Sequence, residues 1–385
     1  MHKLNDFQNL TIQNGPPPPN AEVMEQLENV GVPLSTVDCN ACTEPCEEHV
    51  SYPAKFDIDF ESDLLGSVKA FRRQIVISTG KHDWAHEVTE VADSLAAHML
   101  KMRESSSSTA SPTTDSPTVT GVYRSSSTSS SGNNVTILNA NHRTLEDDRE
   151  RETVLVFPDY KFVSGITRDA EGAKRLWEGA VDPKLGRAGA DEPWEDGISE
   201  WVLPYGCVIL LCSHKRRDNR CGIAAPLLEK EFIRSLSGQG WEPHTHLPRS
   251  LDELDDSWSL DRPKSNDTSN GDAKPMGQSE DTAQPDHRLD SMISKLKDVC
   301  ADDATSKSAL ILRNSHVGGH KYAGNVIIYT PQGSGVWYGR VTPHDVEMIV
   351  EETIVGGRVL PQFLRGGVNL TRPEAKCGKA TLADW

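Results

Sequence analysis

Two short segments carry the residue types that could do chemistry. LLCSHKRRDNRCG places Cys212 and Cys221 with eight residues between them, and NSHVGGHKYAGN places His316 and His320 around a Gly-Gly pair. Two thiols and two imidazoles are donors that zinc or a 2Fe-2S cluster accepts. Cys212 is expected at the end of a strand and Cys221 at the entry to a helix, so one loop presents both sulfurs to a common centre. Lys215, Arg216, Arg217 and Arg220, with the helix N-terminus, are expected to lower the thiol pKa values and favour the metal-binding form. A helix through His316 and His320 would put both rings on one face, but Gly318 and Gly319 would cost it about 2 kcal/mol, so a loop between strands is expected. Structural zinc sites usually separate their cysteines by about two to four residues, and the longer loop suits a larger cluster. Two thiolates and two neutral imidazoles would leave an oxidised 2Fe-2S cluster with a formal charge of about zero, against about -2 for four thiolates, which raises its potential. The second imidazole nitrogens could then couple electron transfer to protons.

These residues need elements to position them. FRRQIVIST reads as a strand followed by the helical stretch HEVTEVADSLAAHMLKM, and ETVLVFPDY as a strand before DAEGAKRLWEGAV. From 203 onward the alternation repeats. VILLC is a buried strand, and PLLEKEFIRSL aligns Leu228, Phe232, Ile233 and Leu236 on one helical face with Pro226 at its start. SALILRN, NVIIYT and GVWYGRV follow as strands. TPHDVEMIVEETIVGG closes the unit as a helix, with Thr342 as N-cap, Pro343 at the first turn, Val346, Ile349, Val350 and Ile354 on one face, and Gly356 as the stop. This is an α/β fold with a C-terminal thioredoxin-like domain preceded by a smaller α/β domain. The expected boundaries are a mostly disordered tail over 1–50, an N-terminal domain over 51–200 and the thioredoxin-like domain over 201–385. The Ser/Thr-rich span 104–134 and the polar span 249–288 read as disordered insertions, because they bury too little apolar area to offset the entropy of ordering.

The chain of 385 residues has 40 Lys and Arg against 57 Asp and Glu, a formal charge of -17, which argues against nucleic acid and anionic lipid surfaces as partners. No apolar run is long enough to insert in a membrane, and the opening residues carry no export or presequence pattern, so the expected location is the cytosol rather than mitochondria. Eight cysteines are too sparse for a disulfide scaffold and suit metal or redox use in a reducing compartment. Cys39, Cys42, Cys46 and His49 have spacing that a second metal site could use. Cys207 is assigned to the core by strand alternation, Cys300 and Cys377 are isolated, and His214 and His344 are alternative imidazoles. No pair of carboxylates suited to glycoside hydrolysis stands out.

The two ligand segments, followed by GVWYGRVTPHDV and preceded by CNAC and STGKHDW, resemble the sucrase/ferredoxin-like family, in particular its thioredoxin-like ferredoxins of the actin-patches-distal type. The resemblance implies that Cys212, Cys221, His316 and His320 ligate a 2Fe-2S cluster, and all four are present. The resulting expectation is an electron carrier with an unknown redox partner protein, rather than a catalyst with its own substrate. A zinc-stabilised interaction module and a thiol-disulfide oxidoreductase are the alternatives; the second asks for a closer cysteine pair at the strand-helix junction. The segment Ala383, Asp384, Trp385 resembles the tripeptide by which cytosolic iron-sulfur clients are recognised by their assembly targeting complex, and an indole beside a carboxylate is a compact anchor for a pocket.

Overall fold

The apolar runs build two halves of one sheet in a computed structural model that describes residues 20–37, 50–106, 119–125, 134–261, 287–372 and 380–385. The first half contains β1 (Arg73–Ser78), β3 (Val135–Ala140), β4 (Arg151–Phe157), β5 (Lys161–Thr167) and β6 (Ser199–Val202), with β2 (Val122–Tyr123) leaving it to pair elsewhere. The second contains β7 (Cys207–Cys212), β8 (Glu242–His244), β9 (Ser308–Asn314), β10 (Val326–Tyr329), β11 (Gly335–Tyr338) and β12 (Leu364–Val368), which β2 joins at its edge. The helices are α1 (Ala21–Asn29), α2 (Leu95–Ser106), α3 (Ala170–Leu176), α4 (Asn219–Gly238), α5 (His287–Ala301), α6 (Asp303–Ser306) and α7 (Val346–Met348).

Both halves share one strand order, β3-β1-β4-β5-β6 and β9-β7-β10-β11-β12. In each, the first two strands are parallel and linked by a helical crossover, and the strands after them are antiparallel. A helix then closes each hairpin, α3 or α7, and each of these runs on into a π-helical turn. A parallel pair with a helical crossover, an antiparallel hairpin and a closing helix make the thioredoxin-like topology, here present twice.

The halves join through one residue pair, Ala140 with Asn314. In a flat sheet β4 and β10 would lie five strand spacings apart, about 24 Å. Instead Phe157 on β4 stacks on Tyr329 of β10, with ring centroids 4.2 Å apart and planes at 7°. The sheet therefore turns at the joint, and its halves pack face to face over Val76, Leu155, Val208, Leu210 and Ile327. Helices cover the outer faces. Ile75, Ile77 and Val154 meet α2 and α3, while Ile209, Leu211 and Val326 meet α4 and α7. Alternation along β7 sends Cys207 to the helix side, where burial pushes its thiol pKa up, as expected of a core residue.

Several elements depart from the expectation. Strands β3 and β5 were not foreseen, since VTILNA adjoins the Ser-rich tract and KFVSGIT contains a glycine at φ +82°. Helix α4 begins at Asn219, capped by Asp218, so Pro226 lies inside it and Cys221 in its first turn. The helix expected over 342–356 is a succession of 3-10, α and π turns. Its π turn brings Thr353 to the buried side, 2.7 Å from the Tyr338 hydroxyl, and the left-handed residue that ends it is Gly357 rather than Gly356. Within the spans read as insertions, residues 119–125 and 249–261 pack on the body: Val119 and Val122 enter one core, and Leu251, Leu254 and Trp258 lean on another. Residues 104–106 end α2 and 287–288 begin α5; residues 107–118, 126–133 and 262–286, and Cys39, Cys42, Cys46, His49 and Cys377, lie outside the described residues.

Candidate metal centre

Parallel pairing places the end of β7 beside the end of β9, with Cys212 opposite Asn314, so the loop after β9 must cross over the sulfur of Cys212. Helix α4 starts seven residues after the strand ends and returns Cys221 to the same point. The two thiols lie within hydrogen-bonding reach of each other, and Cys212 and Cys221 are 3% and 1% exposed. The Cys212 thiol pKa is held well below its usual range, chiefly by the Cys221 thiol that donates to it and also by the His316 ring and the Val317 backbone N–H, against the opposing effect of burial. Cys221 is pushed up by that same bond and by burial. The pair is therefore two buried sulfurs in contact, of which Cys212 is the more readily deprotonated.

His316 and His320 stand next to this pair with ring centroids 5.5 Å apart. Their loop is no helix: Gly318 and Gly319 have φ +80° and +69°, a region that side chains rarely adopt. A Cβ on Gly319 would also meet Arg365. His316 is half-buried and its Nδ1 has no hydrogen-bond partner, whereas His320 is exposed. Among the described residues no three or more His, Cys, Asp or Glu side chains are gathered to hold one ion. The four residues come as two neighbouring pairs, one of sulfurs and one of imidazoles.

Of the basic loop, Arg220 lowers the Cys221 thiol pKa as expected, though less than burial and the Cys212 contact raise it. Arg216 faces Asp83 at 3.4 Å, Arg217 pairs with Glu87, and Arg220 forks onto Asp218 at 2.9 Å, so each of the three arginines meets a carboxylate. The cation buried behind the cysteines is Arg365 on β12, 1% exposed. It donates to the Gly318 carbonyl at 3.0 Å, to Asn325 Oδ1 at 2.6 Å and to Ser67 Oγ at 3.0 Å, and burial lowers its pKa to about 10. Asn325 in turn donates to the Gly319 carbonyl at 3.2 Å and accepts the Cys212 N–H at 3.2 Å. Arg365 and Asn325 thus clamp the histidine loop over the cysteine strand.

His214 is a positioning residue. Its Nδ1 accepts the His316 N–H at 3.2 Å while Nε2 donates to the Trp84 carbonyl at 3.1 Å, which leaves neither nitrogen for a metal. Trp84 belongs to the STGKHDW segment of the first half, which therefore buttresses the loop. His344 bonds Ser51 at 3.2 Å and Cys300 bonds Gln332 at 3.4 Å, neither among the contacts of the four. Ala383 accepts from Gln332 at 2.9 Å, Asp384 accepts the Thr381 N–H at 2.6 Å, and Trp385 is 49% exposed with Lys297 5.8 Å from its ring.

A doubled thioredoxin-like topology with paired cysteines and histidines at one strand end defines the class. A family described as Sucrase/ferredoxin-like matches residues 64–366, and the chain belongs to it. Its relatives include actin patches distal protein 1 of Saccharomyces cerevisiae, 26% identical over 82% of this chain and 78% of that protein. Altered inheritance of mitochondria protein 32 is 28% identical in Meyerozyma guilliermondii, over 42% of this chain and 35% of the relative. In Clavispora lusitaniae it is 30% identical, over 41% and 34%. The matched region thus spans about a third of those two relatives. No solved structure matches the chain. Among the described residues no helix is long and apolar enough to cross a membrane.

Proposed function

We propose that the chain is an electron-transfer protein that holds a 2Fe-2S cluster, with Cys212 and Cys221 on one iron and His316 and His320 on the other. The observation that carries this reading is the Cys212 sulfur in contact with both the Cys221 sulfur and the His316 ring, with His320 beside it. A cluster of this kind takes two donors on each iron and supplies one-electron chemistry at a raised potential. The residues fit that demand as two pairs, and the unpartnered His316 Nδ1 is a nitrogen free to ligate. Arg365 offsets the thiolate charge, and the Asn325 bonds hold the loop. His320 is exposed while the cysteines are buried, so a redox partner would dock at the histidine edge. In the same reading Ala383, Asp384 and Trp385 remain accessible for an assembly partner through the half-exposed indole.

The test is the full chain purified without oxygen. The expected result is coloured protein with about two irons and two acid-labile sulfides per chain, whose visible bands bleach on reduction. Colourless protein carrying zinc contradicts the reading. A second reading, thiol-disulfide exchange, is favoured by the contact between the Cys212 and Cys221 sulfurs. It predicts a Cys212–Cys221 disulfide in iron-free protein, and activity that survives replacement of His316 and His320.

A further inference from the structure

At the opposite end of the strands from Cys212, the turn after β4 and the turn after β10 converge on a cavity of about 240 Å³. Its wall includes Arg72, Ser125, Asp159, Arg187, Gln332 and Asn369. Both halves of the molecule contribute. Arg72 precedes β1 and Arg187 follows the π turn of the first half, while Gln332 and Asn369 come from the second.

Charge is the unusual feature. Arg72 and Arg187 line the cavity, and Arg73 lies directly behind, fully buried. The carboxylate they share is Asp159, which accepts from Arg73 Nε at 2.6 Å and from Arg72 Nη1 at 3.5 Å. Three guanidiniums against one carboxylate leave an excess of two positive charges, in a chain whose formal charge is -17. Arg72 is only 4% exposed, and its Nε has no hydrogen-bond partner. Arg187 donates to the Asp159 carbonyl at 3.1 Å and to the Pro331 carbonyl at 2.5 Å, neutral acceptors that fix its plane without meeting its charge. Burial lowers the pKa values of both, that of Arg187 to about 10. Removing water from cations that outnumber the carboxylate beside them is costly unless a further anion balances them.

We propose that this cavity is a binding site for a phosphate dianion, carried by a small phosphomonoester and held by Arg72 and Arg187. A dianion matches the two excess charges, and guanidinium forks suit its oxygens. The cavity lies below the roughly 300–1,000 Å³ typical of sites for drug-sized ligands, which restricts the ester to a short organic group. Because both halves form the wall, the bound dianion ties the two hairpin turns together and stabilises the fold by linkage.

The experiment is calorimetric titration of the full chain, as purified, with glycerol phosphate, inorganic phosphate and succinate at constant ionic strength, alongside thermal melts. Expected are one saturable site for glycerol phosphate, weaker binding of inorganic phosphate, little binding of succinate, and a melting temperature that rises with the ester. Arg187→Gln should weaken binding at least about tenfold, Arg187→Lys should recover part of it, and Lys174→Gln on the exposed side of α3 should leave it unchanged. Melts of the ligand-free variants separate a folding defect from a binding defect. The site is refuted if no saturable binding is seen, if well-folded Arg187→Gln binds as the parent does, or if succinate binds as tightly as the ester. Iron content plays no part in the readout, so the outcome is independent of the cluster proposal.

Discussion

The two halves of this molecule place equivalent residues at equivalent points and fill them with different chemistry. β1 ends at Ser78 opposite Ala140, and β7 ends at Cys212 opposite Asn314; two residues beyond those partners come His142 and His316. In the first half the Ser78 hydroxyl donates to Glu152 and accepts the Thr153 N–H, while His142 Nε2 bonds the Thr153 carbonyl at 3.2 Å. Glu152 is engaged again by Arg168 at 2.7 Å, so the hydroxyl and the carboxylate are satisfied and His142 keeps only its Nδ1 unpartnered. In the second half the same strand end carries two sulfurs in contact and two neighbouring imidazoles. The topology provides a place where strand ends and loops converge, and residue type decides whether that place is hydrogen-bonded shut or left as a donor set.

The sharpest way to break this comparison is to exchange the chemistry at the paired positions. Cys212→Ser should abolish cluster binding, measured as iron and sulfide per chain, whereas Ser78→Ala should keep the cluster and cost only stability. Loss of iron in both would make the cluster depend on the whole fold rather than on the second half's donors. Arg365→Leu comes next. It strands Asn325 Oδ1 and the Gly318 carbonyl, so a loss of about 4 kcal/mol is expected in denaturant unfolding, with faster cluster loss on dilution. Unchanged cluster lifetime would remove Arg365 from the clamp.

The smallest effect tests the closed half. Burial lowers the His142 pKa from 6.5 to about 4. The unfolded chain therefore takes up a proton first as pH falls, and the stability owed to neutral His142 is complete above about pH 6.5 and lost as pH approaches 4. Between pH 7 and 5 the parent should lose about 2 kcal/mol more than His142→Gln. Equal losses would show that His142 does not carry this dependence.

Much of the candidate centre was legible because its four donor residues lie in compact local segments. VILLC ends a buried strand, Cys221 falls in the first turn of a helix, and Gly318-Gly319 forbids a helix through the histidines. The clamp was not legible, since Arg365 sits 40 residues from Asn325 in sequence and the two meet only through strand order. Likewise, the charges on Arg216 and Arg217 read as free until Asp83 and Glu87, from the other half, are seen to meet them. The second α/β unit was visible as a repeated alternation. Its kinship with the first was hidden because β3 adjoins the Ser-rich tract and β5 follows β4 after a three-residue turn.

The central claim concerns nitrogen as well as sulfur ligation, and paramagnetic resonance of the dithionite-reduced full chain tests it most directly. Hyperfine coupling from two imidazole nitrogens is predicted, with one coupling lost in His316→Cys while a cluster of lower potential persists. A reduced cluster spectrum without nitrogen coupling, unchanged by that substitution, would contradict ligation by His316 and His320.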